Sequence, residues 1–497
     1  MENNSIKYMD ICRMLKRYSF EEKVRVCNCH SRMLMSITGD IDVKQIIGKV
    51  YPWELETFFL LSIKATPEYN NENFLGKNIK IFNKMINGIR NFIHPSLMKK
   101  YANNTFTDYY IVATGLTQFD IQESFYYKLY RYNYIFNFVN ENINMPKEFV
   151  KVFNTIYREY LDFGSYLIML YGSQLQLNDK LLNYFVMDKY PNVSKNLSID
   201  LENYKIELEK ITSNVEDYIT CLRPSYKYPF IKRDNQLYFP LPHLLGRSIT
   251  SAMLYRMTDG NNALREKIGK EVLENYLIKI LKESKAYDEV HSEKIFKKEH
   301  NCEAKTLDAM AKTKDDYILL DCKSAVPLIG LRTYNDNSYE KEIFKLVEKI
   351  EQIYKHLRIF LPKYKTYNPF KGAPNIDKEH LWGITVVLED SYIRRNIIYE
   401  KVAQKLNIKT TSDEYIWMTT HIKIASMYDI ERFSFCGRSL IDGFLEQISK
   451  GNVGDYAFSE YSIEKYDIIN SDYEKFMSER KNKFQQLNEE LLNEKLF

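Results

Sequence analysis

Apolar positions in this chain change their period from one part to the next. Through the first half they recur at helical spacing. Phe58 to Ala65, Ile79 to Ile93, Tyr127 to Val139, Glu148 to Tyr160 and Leu201 to Cys221 are helical segments separated by Asn-, Pro- and Asp-rich turns. This pattern predicts a large, mainly helical N-terminal domain over 1–225. Pro224, Pro229, Pro240 and Pro242 then punctuate the chain, with a predicted small hairpin from Phe230-Ile231-Lys232 and Gln236 to Phe239. Beyond it the periods alternate. Gly269 to Leu281 is helical, with Val272, Leu273, Tyr276, Leu277, Ile280 and Leu281 on one stripe. Residues 291–298 read as a first strand and Tyr317-Ile318-Leu319-Leu320 as a short buried one. Glu340 to Phe360 is a long amphipathic helix, and Leu381 to Leu388 is a dense apolar strand. Helical spacing returns over 391–405, Tyr415 to Ala425 reads as another strand, and 438–449 as a helix. The prediction for 226–470 is an α/β domain, a mixed sheet flanked by helices, followed by a charged helix over 471–497.

The chemistry concentrates where the run Tyr317 to Leu320 ends in Asp321-Cys322-Lys323, because a core strand does not ordinarily place two charges there. Asp308 stands on the preceding strand-like piece, across the polar stretch Lys312 to Asp316, which reads as a hairpin turn. Folded back, the hairpin brings Asp308 and Asp321 together. Strand alternation places the side chains of Asp321 and Lys323 on one face and that of Cys322 on the other. The backbone carbonyl of Cys322 is then a further oxygen ligand. Two carboxylates suit Mg²⁺ or Mn²⁺, which polarise a phosphoryl group and acidify a bound water. Lys323 would orient that water or help to deprotonate it. A third acid comes from the preceding helix, either Glu274 or Glu271, one turn apart.

Glu274 on its helix, Leu307-Asp308, and Asp321-Cys322-Lys323 together resemble the pattern of the PD-(D/E)XK nuclease superfamily, the restriction-endonuclease-like fold. The family often has Pro where this chain has Leu307. The resemblance covers roughly 262–430. It implies that Asp308, Asp321 and Glu274 bind Mg²⁺ and that Lys323 assists water attack on a phosphodiester, leaving 5′-phosphate and 3′-hydroxyl ends. It further implies a metal-dependent deoxyribonuclease, with RNA the weaker substrate and bacterial defence against foreign DNA a common setting. Gln352 resembles the substrate-contacting Gln or Lys that several branches place after the acid-x-Lys strand. Lys349 and Lys355, with Arg358, Lys363 and Lys365, read as a phosphate-facing patch, interrupted by Glu348 and Glu351. The alternative is a catalytically inactive nuclease fold that binds nucleic acid or protein.

At 497 residues the chain is too long for one ordinary core. A net charge of +4 is small, so affinity for nucleic acid would come from local patches. Some of the 40 tyrosines could stack on bases, although most are expected to be structural. The seven cysteines form no disulfide framework. Cys12, Cys27, Cys29 and His30 lack the spacing of a zinc knuckle and are read as unrelated. Arg90 and His94 are read as an ordinary helix end. No signal peptide or transmembrane run is visible, so a cytoplasmic protein without a membrane partner is expected. The helical N-terminal domain is expected to serve substrate selection, regulation, a protein partner or homo-oligomerisation.

Overall fold

The helix Pro52–Lys64 is buried at every position but Lys64, and its buried acids are partnered, Glu54 by Arg90 and Glu56 by Arg223 (3.0 Å). The helices Tyr8–Leu15, Phe20–Met35 and Ile79–Arg90 surround it. The computed structural model describes residues 6–35, 50–66, 68, 75–92, 112, 123–173, 178–219, 221–299, 306–323, 327, 330–331, 336–364, 368–370, 375–449 and 467–494. A second helical group, Phe125–Asn137, Met145–Phe153 and Tyr157–Gly172, packs through the aromatic rings of Phe136, Phe149, Tyr157 and Tyr160. The segment 148–160, read as one helix, is two. Asn154 adopts a left-handed φ of 54° and ends the first, a conformation that Asn tolerates better than most residues. The segment 201–221 likewise divides into the helix Leu201–Ile211 and a 3₁₀ turn Val215–Ile219.

Two small mixed sheets follow this helical region, flanked by helices in a generic α/β architecture. The first joins β1 (Ser198–Asp200), β2 (Phe230–Arg233) and β3 (Gln236–Tyr238), with β1 parallel to β2 and β2 antiparallel to β3. Asp234 and Asn235, at φ 51° and 60°, make the two-residue turn that suits a tight hairpin. The second sheet has the order β4 (Glu289–Ser292), β5 (Ala309–Lys312), β6 (Tyr317–Lys323), β7 (Leu381–Val387), β8 (Ile422–Ser426). Its first three strands are antiparallel and its last three parallel. The parallel step from β6 to β7 requires a crossover, supplied by the long helix Asp336–Lys355.

Two sequence expectations are corrected in this sheet. Residues 291–298 are mostly helix: β4 ends at Ser292, whose hydroxyl accepts from the Ile295 N–H (3.3 Å) and starts the helix Glu293–Glu299. Tyr415 to Ala425 is largely the helix Asp413–His421, and only its end enters β8. Ser412 caps that helix by accepting from the Tyr415 N–H (3.3 Å), with Asp413 and Glu414 in the first turn.

The two faces of the larger sheet pack differently. Leu319, Met310 and Val387 meet Leu346, Ile350 and Ile353 of the crossover helix. Ile318, Leu320 and Ile384 meet Tyr276, Leu277 and Ile280 of the helix Glu274–Glu283. This second core continues without a break into the helices of 125–172 and the C-terminal helix Ser471–Asn493. At its centre Arg131, fully buried, donates to both carboxylate oxygens of Glu431 (2.8 and 2.7 Å), and the Tyr276 hydroxyl donates to the same group (2.7 Å). Among the described residues no helix is long and apolar enough to cross a membrane.

Candidate functional site

The β5–β6 hairpin is local, and its turn is closed by Thr313 and Asp316, whose side chain and backbone exchange hydrogen bonds of 2.9 Å. Its register pairs Ala309 with Leu320, so one step further places Asp308 opposite Asp321. Asp308 Oδ2 accepts from the Cys322 N–H (2.8 Å), and its backbone carbonyl accepts from the Glu293 N–H (3.2 Å). Asp321 is buried and its Oδ2 lies 2.8 Å from the Lys349 ammonium. Lys349 also donates to Gln352 Oε1 (3.4 Å). Glu274 reaches the same sheet end from the helix on the opposite face.

The electrostatics follow from this crowding. Burial, then Asp308 and Glu293, push the Glu274 carboxyl up to about 8. Burial, then Asp321, raise Asp308 to about 7, against the lowering effects of the Cys322 N–H and Lys349. The half-buried Cys322 side chain packs into the core on the face opposite Asp321, and burial and the three acids raise its thiol well above the ordinary range. Glu271, the reserve acid, looks elsewhere: it accepts from Asn140 Nδ2 (2.9 Å) and stands 3.8 Å from the Lys294 ammonium.

The remaining site residues are placed as follows. Lys323 ends β6, with its backbone opposite Val387, and its side chain lies outside the described residues. Lys355 pairs with Glu351 (2.7 Å), Lys405 joins the same carboxylate (3.0 Å), and Arg358 pairs with Glu414 (2.8 Å). The phosphate-facing patch is thus threaded with acids that neutralise it, and Lys365 lies outside the described residues. In the N-terminal bundle Cys12 donates to the Leu61 carbonyl (3.7 Å), Cys27 is fully buried and Cys29 is exposed. His30 stacks on Phe82, Arg90 pairs with Glu54, and His94 lies outside the described residues.

The expectation of an Mg²⁺- or Mn²⁺-dependent deoxyribonuclease is corrected by this arrangement. Among the described residues no group of three or more His, Cys, Asp or Glu side chains could hold a metal ion. The reason is geometric. Asp321 is tied to Lys349 on the crossover-helix face, Asp308 Oδ2 receives the Cys322 N–H, and Glu274 arrives from the other face. The Mg²⁺ or Mn²⁺ cofactor, and the metal-dependent cutting of DNA expected from it, are therefore not borne out among the described residues. Comparison with protein-family models, with curated proteins and with solved structures returns no match to the chain.

Lys349 has a partner in Asp321 that sequence reasoning missed. It is three residues after Leu346 and four before Ile353, both in the core. That spacing sets it on the edge of the helix's inner stripe, the signal from which its inward partner could be read.

Proposed function

We propose that the chain is a catalytically inactive binding module built on a restriction-endonuclease-like sheet, with nucleic acid as its partner. The observation that carries this reading is the Lys349–Asp321 ion pair. Where a nuclease of this design would leave the strand-end acid to a divalent ion, an ammonium of the protein itself supplies the positive charge at 2.8 Å. Such a pair compensates the cost of a buried carboxylate. It provides no Lewis acid and no metal-bound water. The likeness to the nuclease superfamily rests on the strand order β4 to β8 around Asp308, Asp321 and the helix that carries Glu274. DNA comes first as partner because that likeness points to it, and RNA second. With Lys355 and Arg358 already paired to acids, binding is of modest affinity and weakened by salt.

The test is fluorescence anisotropy with labelled double-stranded DNA, single-stranded DNA and matched RNA, in Mg²⁺ and in EDTA. Saturable binding that salt weakens and EDTA leaves unchanged is expected, with the oligonucleotides intact on a denaturing gel. Cleavage that EDTA abolishes would overturn the inactive reading. Failure to bind any of the three would remove nucleic acid as the partner.

A further inference from the structure

A cavity of about 520 Å³ lies away from the acid cluster, where the turn Pro224–Tyr226 faces the helices Leu245–Ser248 and Ser251–Thr258. That volume is in the range of small-ligand sites, and far above what one or two waters need. Its walls combine two chemistries. Tyr226, Tyr228 and Tyr255 line it together with the apolar Ile211, Leu222 and Ala252. Arg247, Arg256 and Arg265 line it as well, whereas its carboxylates are Glu207 and Asp259. Glu207 is engaged by Lys210 (2.8 Å) on the surface, and Asp259 is exposed.

Arg256 and Arg265 are half-buried, whereas the buried Arg247 acts on the Glu56 carboxylate, which pairs with Arg223 of the same wall (3.0 Å). Arg256 donates to the Asn196 carbonyl (3.2 Å) and lies over the Phe153 ring (4.8 Å). Among the described residues no carboxylate pairs with Arg256 or with Arg265. Burial disfavours the Arg256 charge, so an anion arriving beside it would relieve a cost already present. Arg247, itself buried, lies over the Tyr226 ring (4.9 Å) and holds that ring in the wall.

We propose that this cavity binds a nucleoside phosphate, its base against Tyr228 and Tyr255 and its phosphate at Arg256 and Arg265. A planar aromatic body fits tyrosine walls, and a phosphate fits guanidinium forks. The site is independent of the acid cluster and of the reading given to it above.

Calorimetric titration of the full chain with AMP, with adenosine and with inorganic phosphate tests the assignment. AMP is expected to bind, with adenosine and phosphate each at least about tenfold weaker, since each forgoes one half of the contacts. R265A removes a partly exposed arginine without an ion pair, so the fold should survive, as circular dichroism would verify. It is expected to weaken AMP by about tenfold. R256K is the second variant, keeping the charge and losing the fork. No AMP binding at millimolar concentration would overturn the proposal, as would AMP affinity unchanged in both folded variants. Adenosine binding as tightly as AMP would overturn the phosphate assignment, and phosphate binding as tightly as AMP would overturn the base.

Discussion

Glu274 faces Asp308 and Glu293 at the end of the sheet, and burial with these two acids lifts its carboxyl from an ordinary 4.5 to about 8. Lys349 cannot serve it, being bound to Asp321 from the other face. A carboxyl with a raised folded value keeps its proton in the folded state while the unfolded chain has released its own. Its contribution to stability is therefore fully present below about 4.5 and is lost as pH rises through about 8. Asp308 acts in the same direction, from 3.8 to about 7. The protein is expected to lose stability steadily across this window. E274Q should flatten the slope and gain on the order of 1–2 kcal/mol over wild type at pH 8, with little gain at pH 5. Urea unfolding at the two pH values checks this, and parallel shifts for both proteins would refute it.

At the scale of elements, what could be read from the sequence was set by how local the signal is. Leu381–Val387 is buried at every position, so its uniform apolar run has only one sheet reading. Asp308 and Asp321 are brought together by a hairpin closed within a few residues, which alternation and turn chemistry suffice to foresee. Tyr415 to Ala425 was harder, because Tyr415, Trp417 and Met418 carry strand-like bulk while the deciding feature is the Ser412 cap before them. The role of Lys349 depends on a crossover helix returning over the sheet, and the arginine-lined cavity draws its walls from segments that meet only in three dimensions. Gly383 illustrates the same limit. It sits on β7 beneath the crossover helix, and a Cβ there would stand 2.2 Å from Ile353 Cγ2 and 2.9 Å from Leu357 Cδ1. G383A must therefore push the helix off the sheet, at a cost of about 1–3 kcal/mol typical of overpacking. Reducing Ile353 to Ala in the same chain should restore part of it. An unfolding midpoint for G383A equal to wild type would show that the helix yields without cost.

Across the whole molecule, the C-terminal helix Ser471–Asn493 connects parts of the chain that are far apart in sequence. Tyr473 and Phe476 pack on the rings of Tyr127 and Tyr130, and Leu487 and Leu491 are fully buried. Arg480, also buried, pairs with Asp162, and the Tyr166 hydroxyl donates to Asn488 Oδ1 (2.7 Å). Lys279 of the helix that begins at Glu274 reaches Asp472 (2.7 Å). One element thus fastens the helices of 125–172 to the scaffold of the larger sheet, so its loss should be felt beyond its own length. A chain ending at Asn470 would expose the rings of Tyr127 and Tyr130 and leave Asp162 without its buried arginine. Four large side chains at about 1.5–3 kcal/mol each make this loss comparable with the whole stability of an ordinary domain. The truncated protein is expected to melt well below wild type and to aggregate, and a peptide of 471–497 added in excess should raise its melting temperature with the concentration dependence of a binding equilibrium. A truncated chain that melts with the full one, and ignores the peptide, would mean that the helix rests on the body without holding it.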